Sequence, residues 1–161
     1  MIKPILCIRK YNDVTVEMLL SLNASGIIVD VDNTIAPHGQ NIVTEELVNW
    51  INVLKDASIS ICILTNNPQS RGRFFAEELR VSFVAGIVKP WPWGFRNALK
   101  KLGTPKENTI MIGDQVFTDL IGANWAGIRT ILVDPISKIE LSHTKILRKL
   151  EKRLIGERDE K

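Results

Sequence analysis

The stretch Gly26-Ile27-Ile28-Val29-Asp30-Val31-Asp32-Asn33-Thr34-Ile35 decides how the rest of the chain is read. Ile27 to Val29 form a short β-branched run, suited to a strand buried on both faces. Asp30 and Asp32 follow at once, then Asn33 and Thr34. A strand interior should exclude charge, so the carboxylates mark where the strand ends and chemistry can begin.

Similar apolar runs recur at Ile59 to Leu64, Phe83 to Ala85, Ile110 to Ile112 and Thr130 to Val133. Helical spacing fills the gaps. Thr44 is an N-cap candidate, with Glu45 and Glu46 in the first turn, where acidic groups suit the helix dipole. Leu47, Trp50, Ile51 and Leu54 then recur at i, i+3, i+4, i+7, a core-facing stripe. Further helices are predicted from about Gln69 to Arg80, from about Gly94 to Leu102, and briefly after Asp119, ending before Gly127. Strands alternating with helices imply crossover connections and a parallel sheet covered on both sides. The fold class is α/β: a three-layer, doubly wound parallel sheet.

Bulk properties agree. With 161 residues, 45% hydrophobic and 24% charged, the chain suits one compact domain over 1–161. A net charge of +3 argues against an extended nucleic-acid surface, and no nucleic-acid partner is expected. Cys7 and Cys62 form no CxxC pair, so neither a zinc site nor a disulfide framework is indicated, and Cys62 reads as a small buried thiol. The start, MIKPILCIRKYND, lacks the apolar region of a signal peptide, and no run reaches the ~18 apolar residues of a membrane span. A reducing cytoplasm is the default expectation.

In doubly wound sheets ligands bind beyond the carboxyl ends of the strands. Polar groups accumulate there: Asp30 and Asp32 after one run, Thr65, Asn66 and Asn67 after the next, then Lys89 and Pro90, then Gly113 and Asp114. Alone, each has an ordinary explanation as a turn or a helix cap. Their joint arrival at one edge does not. Carboxylates are the hard oxygen ligands that Mg²⁺ prefers, and hydroxyl, amide and ammonium groups complement phosphoryl oxygens. A carboxylate can also attack phosphorus itself. The receiver domains of two-component signalling use similar residues, but in another order. Here the order is acid pair, Thr, Lys, acid, and no aspartate ends the Ile59 to Leu64 run.

These residues carry a resemblance. DVDNT at Asp30 to Thr34 is similar to the first motif of the haloacid dehalogenase-like phosphatases. LTNN at Leu64 to Asn67, VKP at Val88 to Pro90 and GDQVFTD at Gly113 to Asp119 resemble their second, third and fourth motifs. Four motifs in order are specific where one would be weak. Flanking segments, from about Tyr11 to Arg153, resemble a small bacterial subgroup, the YqeG-type phosphatases, related to mitochondrial phosphatidylglycerophosphate phosphatases. The resemblance implies a Mg²⁺-dependent phosphatase acting through an aspartyl-phosphate. Asp30 would be nucleophile and metal ligand. Asp32 would be general acid and base, with its backbone carbonyl on the metal. Thr65, Asn66 (through its backbone N–H) and Lys89 would bind the phosphoryl group. Asp114 would complete the metal shell, with Asp119 just behind it.

Family members often carry a cap domain, for which residues 35 to 57 and 66 to 88 leave no room. An open site suits a bulky phosphorylated substrate: a macromolecule, or a lipid headgroup such as phosphatidylglycerophosphate. The alternative is a binding or scaffold module serving a protein or ribosome-assembly partner, against which the intact Asp30 and Asp32 pair speaks. Trp50 and Trp125 are expected in packing. Trp91 and Trp93 are read as packed under a loop, with contact to substrate or to a bilayer interface as the alternative. His38 and His143 are isolated and read as surface residues. From about 142 to 155 a basic amphipathic helix is expected, with Ile146, Leu147, Leu150 and Leu154 on one face. Such a helix packs on its domain or lies peripherally on an anionic membrane.

Overall fold

The structure, a computed structural model, describes residues 1–136. The expected basic helix near 142–155 and His143 lie outside the described residues. Chain order within them is β1 (Leu6–Ile8), α1 (Val16–Ser21), β2 (Gly26–Val29), α2 (Glu45–Asp56), β3 (Ser60–Thr65), α3 (Gln69–Leu79), β4 (Ser82–Ala85), α4 (Pro92–Leu102), β5 (Thr109–Gly113), α5 (Gly122–Trp125) and β6 (Arg129–Val133).

All strand pairs are parallel, in a six-stranded sheet of order β1-β6-β5-β2-β3-β4. β2 lies inside, paired with β3 on one side and β5 on the other; Val29 stands opposite both Ile63 and Ile112. Strands are added on one side of β2 through β3 and β4 and then on the other through β5 and β6, so the crevice beside the carboxyl end of β2 is the place where loops diverge and a ligand can enter.

Alternation along the strands divides the core. Ile27, Val29, Ile61, Ile63, Ile110, Ile112, Ile131 and Val133 pack with α2 and Phe75 and Leu79 of α3. Ile28, Cys62, Leu64, Val84 and Met111 face Phe95, Ala98 and Leu102 of α4 and Ala123 of α5. With both faces covered, the strands need no polar side, which is why their sequences read as unbroken apolar runs.

Local signals behave as their chemistry requires. Thr44 Oγ1 accepts from Leu47 N–H at 3.1 Å, capping α2, and the α2 stripe is buried. α4 begins two residues before the expected Gly94, because Pro92 at its first turn needs no amide partner there. Helical backbone also begins before Asp119: Val116–Ile121 forms a π-helical turn that leads into α5. Trp50 is in the core, donating its indole N–H to the Val14 carbonyl at 2.9 Å. Trp125, expected in packing, is instead 54% exposed, because α5 is only one turn long and shows its outer side to solvent. Trp91 and Trp93 are likewise half exposed rather than covered.

Among the described residues no helix is long and apolar enough to cross a membrane. The two thiols differ sharply: Cys7 is exposed on the edge strand β1, while burial pushes the Cys62 thiol up to about 12 against a weak pull from Lys101. A thiolate-selective reagent should therefore consume one equivalent in the native protein and a second only after denaturant is added. Rapid native modification of two thiols would contradict the buried placement of Cys62.

Candidate active site

Each segment reaches the site because a strand delivers it. Asp30 follows β2, and its N–H still donates to the Ile112 carbonyl at 3.0 Å, so the sheet fixes its backbone. The chain then turns hard. Val31 O accepts from the N–H groups of Thr34, Ile35 and Ala36, and Asn33 takes a left-handed conformation at φ 58° that asparagine tolerates better than most residues. The turn leaves Asp30 and Asp32 with different neighbours.

Asp30 faces a buried ionic cluster. Lys89 Nζ donates to Asp30 Oδ1 and to Asp119 Oδ1, each at 2.7 Å, and all three side chains are buried. Asp30, Asp114 and Asp119 each offer an oxygen within 4.8 Å of the others. Thr34 Oγ1 donates to Asp114 Oδ1 at 3.2 Å. Asp119 Oδ2 accepts from Gln115 N–H at 3.1 Å. Gly113 makes that approach possible, since a Cβ there would lie 2.2 Å from Asp119 Oδ2.

Charge in this cluster is unbalanced. Burial pushes Asp30 up to about 7, and Asp119 and Asp32 add to the push against the opposing pull of Lys89. Burial, then the charges of Asp30 and Asp119, raise Asp114 well above the usual carboxylate range. Burial works against the Lys89 ammonium, yet Asp119 and Asp30 together lift its affinity for a proton above the ordinary value. One ammonium among three buried carboxylates leaves negative charge that a hard cation would neutralise. The donor set, all oxygen and all from carboxylates, fits a divalent metal.

Asp32 has another environment. Burial raises its proton affinity, but donors outweigh burial and hold it below the usual carboxylate range. Asn67 Nδ2 donates to Oδ2, while Gly39 N–H at 3.0 Å and Arg71 Nη2 at 2.6 Å both donate to Oδ1. His38 lies 3.9 Å away and half exposed, beyond hydrogen-bond reach, in keeping with a surface residue.

The remaining sequence candidates are brought to the same edge. Thr65 is buried at the end of β3, and its hydroxyl accepts from Asn67 N–H at 3.2 Å and Asn67 Nδ2 at 2.7 Å. Asn66 turns its side chain to the Lys89 segment: Oδ1 accepts from Val88 N–H at 3.0 Å and Lys89 N–H at 2.7 Å, and Nδ2 donates to Lys89 O at 2.9 Å. The Lys89–Pro90 bond is cis, and Gly94 lets α4 close on that segment, since a Cβ there would meet Val88 O at 2.5 Å. The carboxylates that gather are thus those of Asp30, Asp114 and Asp119. The Asp32 carboxylate is held by other partners, so a share in a metal shell would fall to its backbone carbonyl. Asp119 is closer in than a place behind the metal shell suggests, though Lys89 and the Gln115 amide already engage its two oxygens.

Arg71 was not singled out from sequence. It is buried on α3, with Phe75 and Leu79 at i+4 and i+8. A charged residue on the core-facing stripe of a helix is the available signal, because a buried charge needs a partner.

The chain matches the haloacid dehalogenase-like hydrolase family over residues 12–127. It is 34% identical over 143 residues to a protein of Bacillus subtilis (strain 168) named probable phosphatase YqeG, across 89% of this chain and 83% of that one. Over 80 residues it is 35% identical to the ribonucleotide monophosphatase NagD of Escherichia coli (strain K12), covering 44% of this chain and 32% of NagD. The fold superposes on the crystal structure of CbbY from Rhodobacter sphaeroides, determined in complex with phosphate, with a TM-score of 0.55 at 16% identity, over 74% of this chain and 91% of that one. The family match over residues 12–127 and the 34% identity across most of both chains make this chain a member of the haloacid dehalogenase-like hydrolases.

Proposed function

We propose that the protein is a Mg²⁺-dependent phosphomonoester phosphatase that works through an aspartyl-phosphate on Asp30. One observation carries the reading: a carboxylate at the end of a central strand, ion-paired to a buried lysine and within reach of two more carboxylates. A cation held by Asp30, Asp114 and the Asp32 carbonyl would supply Lewis-acid polarisation of the phosphoryl oxygens.

The chain's own groups divide the remaining work. A carboxylate oxygen of Asp30 forms the bond to phosphorus as the ester P–O bond breaks. The departing oxygen takes a proton from the Asp32 carboxyl and leaves as an alcohol. Asp32, now a carboxylate, removes a proton from water; the water oxygen attacks phosphorus, and the Asp30–phosphorus bond breaks to release phosphate. Because its donors favour the ionised form, Asp32 must acquire its proton from bulk water or with the substrate. Lys89 balances charge on the phosphoryl oxygens as well as on Asp30. Thr65 supports a binding role: its hydroxyl accepts two hydrogen bonds, which directs its own O–H outward as a donor. The Asn66 side chain holds the Lys89 segment in place, and its backbone N–H is assigned to the phosphoryl group. Asp119 fixes Lys89 rather than meeting substrate.

A second reading of the substrate rests on the rim. Ile87, 80% exposed, and Trp91 and Trp93, 51% and 49% exposed, flank Lys89. Apolar groups beside a phosphate site suit a lipid phosphate presented at an anionic surface, where indoles are favoured.

Asp30→Asn should abolish release of phosphate from 4-nitrophenyl phosphate while leaving the circular dichroism spectrum unchanged; retained turnover would remove the nucleophile assignment. Activity should vanish in EDTA and return with Mg²⁺, and the melting temperature of the wild type should rise with Mg²⁺, as binding to the folded state requires. An unchanged melting temperature over millimolar Mg²⁺ would count against the metal site independently of activity. Lys89→Met should lower kcat by about 10²-fold or more, on the scale of losing one preorganised charge partner. For the lipid reading, vesicles containing anionic phospholipid should shift tryptophan emission to the blue more than neutral vesicles do, and Trp91→Ala with Trp93→Ala should cancel the difference. Equal response to both vesicle types would leave the soluble phosphomonoester.

A further inference from the structure

The Asp32 carboxylate is reached by three donors, of which Arg71 is the only charged one among the described residues. Arg71 sits in the first turn of α3, which starts four residues past the end of β3, so the topology places it at the same sheet edge as Asp32. Its own orientation is fixed from three sides. Nη2 donates to Asp32 Oδ1 at 2.6 Å, Nη1 donates to Asn41 Oδ1, and the guanidinium carbon lies 5.2 Å from the Phe75 ring centroid. A planar fork held at two nitrogens and stacked on a ring has little freedom left.

The arrangement is costly for a fold to maintain. Arg71 is 9% exposed, and its Nε is buried with no hydrogen-bond partner among the described residues. An orphaned donor on a buried arginine is the kind of penalty retained where the group serves a purpose. Resting on Asp32 as the group that protonates the leaving oxygen, we propose that Arg71 is the positioning residue of this site: its guanidinium sets the direction of the Asp32 carboxyl, with Asn41 and Phe75 setting that of the guanidinium.

Gly39 N–H and Asn67 would still contact Asp32 without Arg71, but Oδ1 would keep only a neutral backbone donor at 3.0 Å in place of the charged one at 2.6 Å. Proton delivery depends on that alignment, and misplacing a donor by a fraction of an ångström costs rate. Loss of alignment harms substrates in proportion to their need for a proton. An alkoxide leaves badly unprotonated, whereas 4-nitrophenolate leaves readily.

The test measures kcat/KM, which ends at the first irreversible step, across aryl phosphates of graded leaving-group acidity and one alkyl phosphate. Arg71→Met should lower kcat/KM about 10²-fold more for the alkyl phosphate than for 4-nitrophenyl phosphate, on the scale of general-acid catalysis. The plot against leaving-group pKa should steepen as it does for Asp32→Asn. Arg71→Lys should recover part of the loss. Asn41→Ala, at an exposed loop position, should steepen the plot in the same direction by less, and this milder variant serves if Arg71→Met does not fold. A parallel drop for every leaving group, or an unchanged slope, in a folded Arg71 or Asn41 variant overturns the positioning role while Asp32→Asn still steepens the plot. An unchanged slope in Asp32→Asn overturns the acid assignment itself, and the positioning role with it.

Discussion

The ammonium of Lys89, shared between Asp30 and Asp119 at 2.7 Å each, is the contact on which the site depends. Three buried carboxylates within 4.8 Å would repel one another strongly in a medium of low dielectric. The one buried cation in their midst reduces that repulsion without cancelling it, and burial, with the excess charge adding to it, raises the proton affinities of Asp30 and Asp114. Much of the surrounding structure serves to keep that lysine where it is. The Asn66 side chain grips the backbone of Val88 and Lys89 with three hydrogen bonds, Gly94 admits α4 against the same segment, and Gly113 admits Asp119 from the other side. Small residues and an amide at fixed positions are the means; a charge cluster free of bulk water is the result.

Asp30 and Asp32 are separated by two positions and by a difference of environment. Asp30 sits among like charges, and burial raises its proton affinity; Asp32 sits among donors that lower it. Pairs of carboxyl groups driven apart in this way are the usual signature of two different roles in one reaction. The turn after Asp30, with three N–H groups on the Val31 carbonyl and Asn33 at positive φ, separates them. A continued strand would have kept both side chains on one face. The sequence DVDNT therefore encodes the end of a strand as much as a pair of acids.

The amount of this that could be read in advance varied with how local the cause was. Strand cores such as Ile110 to Ile112, the Thr44 cap and the α2 stripe depend on neighbours within one or two turns, and the structure has them where residue patterning puts them. The polar groups at the strand ends were legible for the same reason: the parallel topology leaves them nowhere else to go. β1 escaped because three residues, Leu6–Ile8, carry too little pattern, and the strand exists only through its ladder to β6. α1 escaped because a six-residue helix has no room for a periodic stripe. Arg71 could not be assigned from spacing alone, since its partners Asp32 and Asn41 lie 39 and 30 residues away. Asp119 lies on a π-helical turn and packs closely over Gly113, an arrangement that no local rule anticipates.

Among the described residues no element is inserted over the carboxyl edge: between β2 and β3 stand a loop and α2, and between β3 and α4 a loop, α3 and β4. The ionic cluster is nonetheless buried, with Asp30 and Lys89 each 5% exposed. Exclusion of water is thus built into the packing of the sheet edge itself and does not wait for a domain to close. Charges kept out of bulk water in this way exert their largest electrostatic effect. Among the described residues the apolar groups exposed next to this edge in sequence are Ile87, Trp91 and Trp93 around Lys89, and Phe117 between Asp114 and Asp119. A buried charge cluster under an apolar rim is what two short connections, each without an insert, leave at this edge.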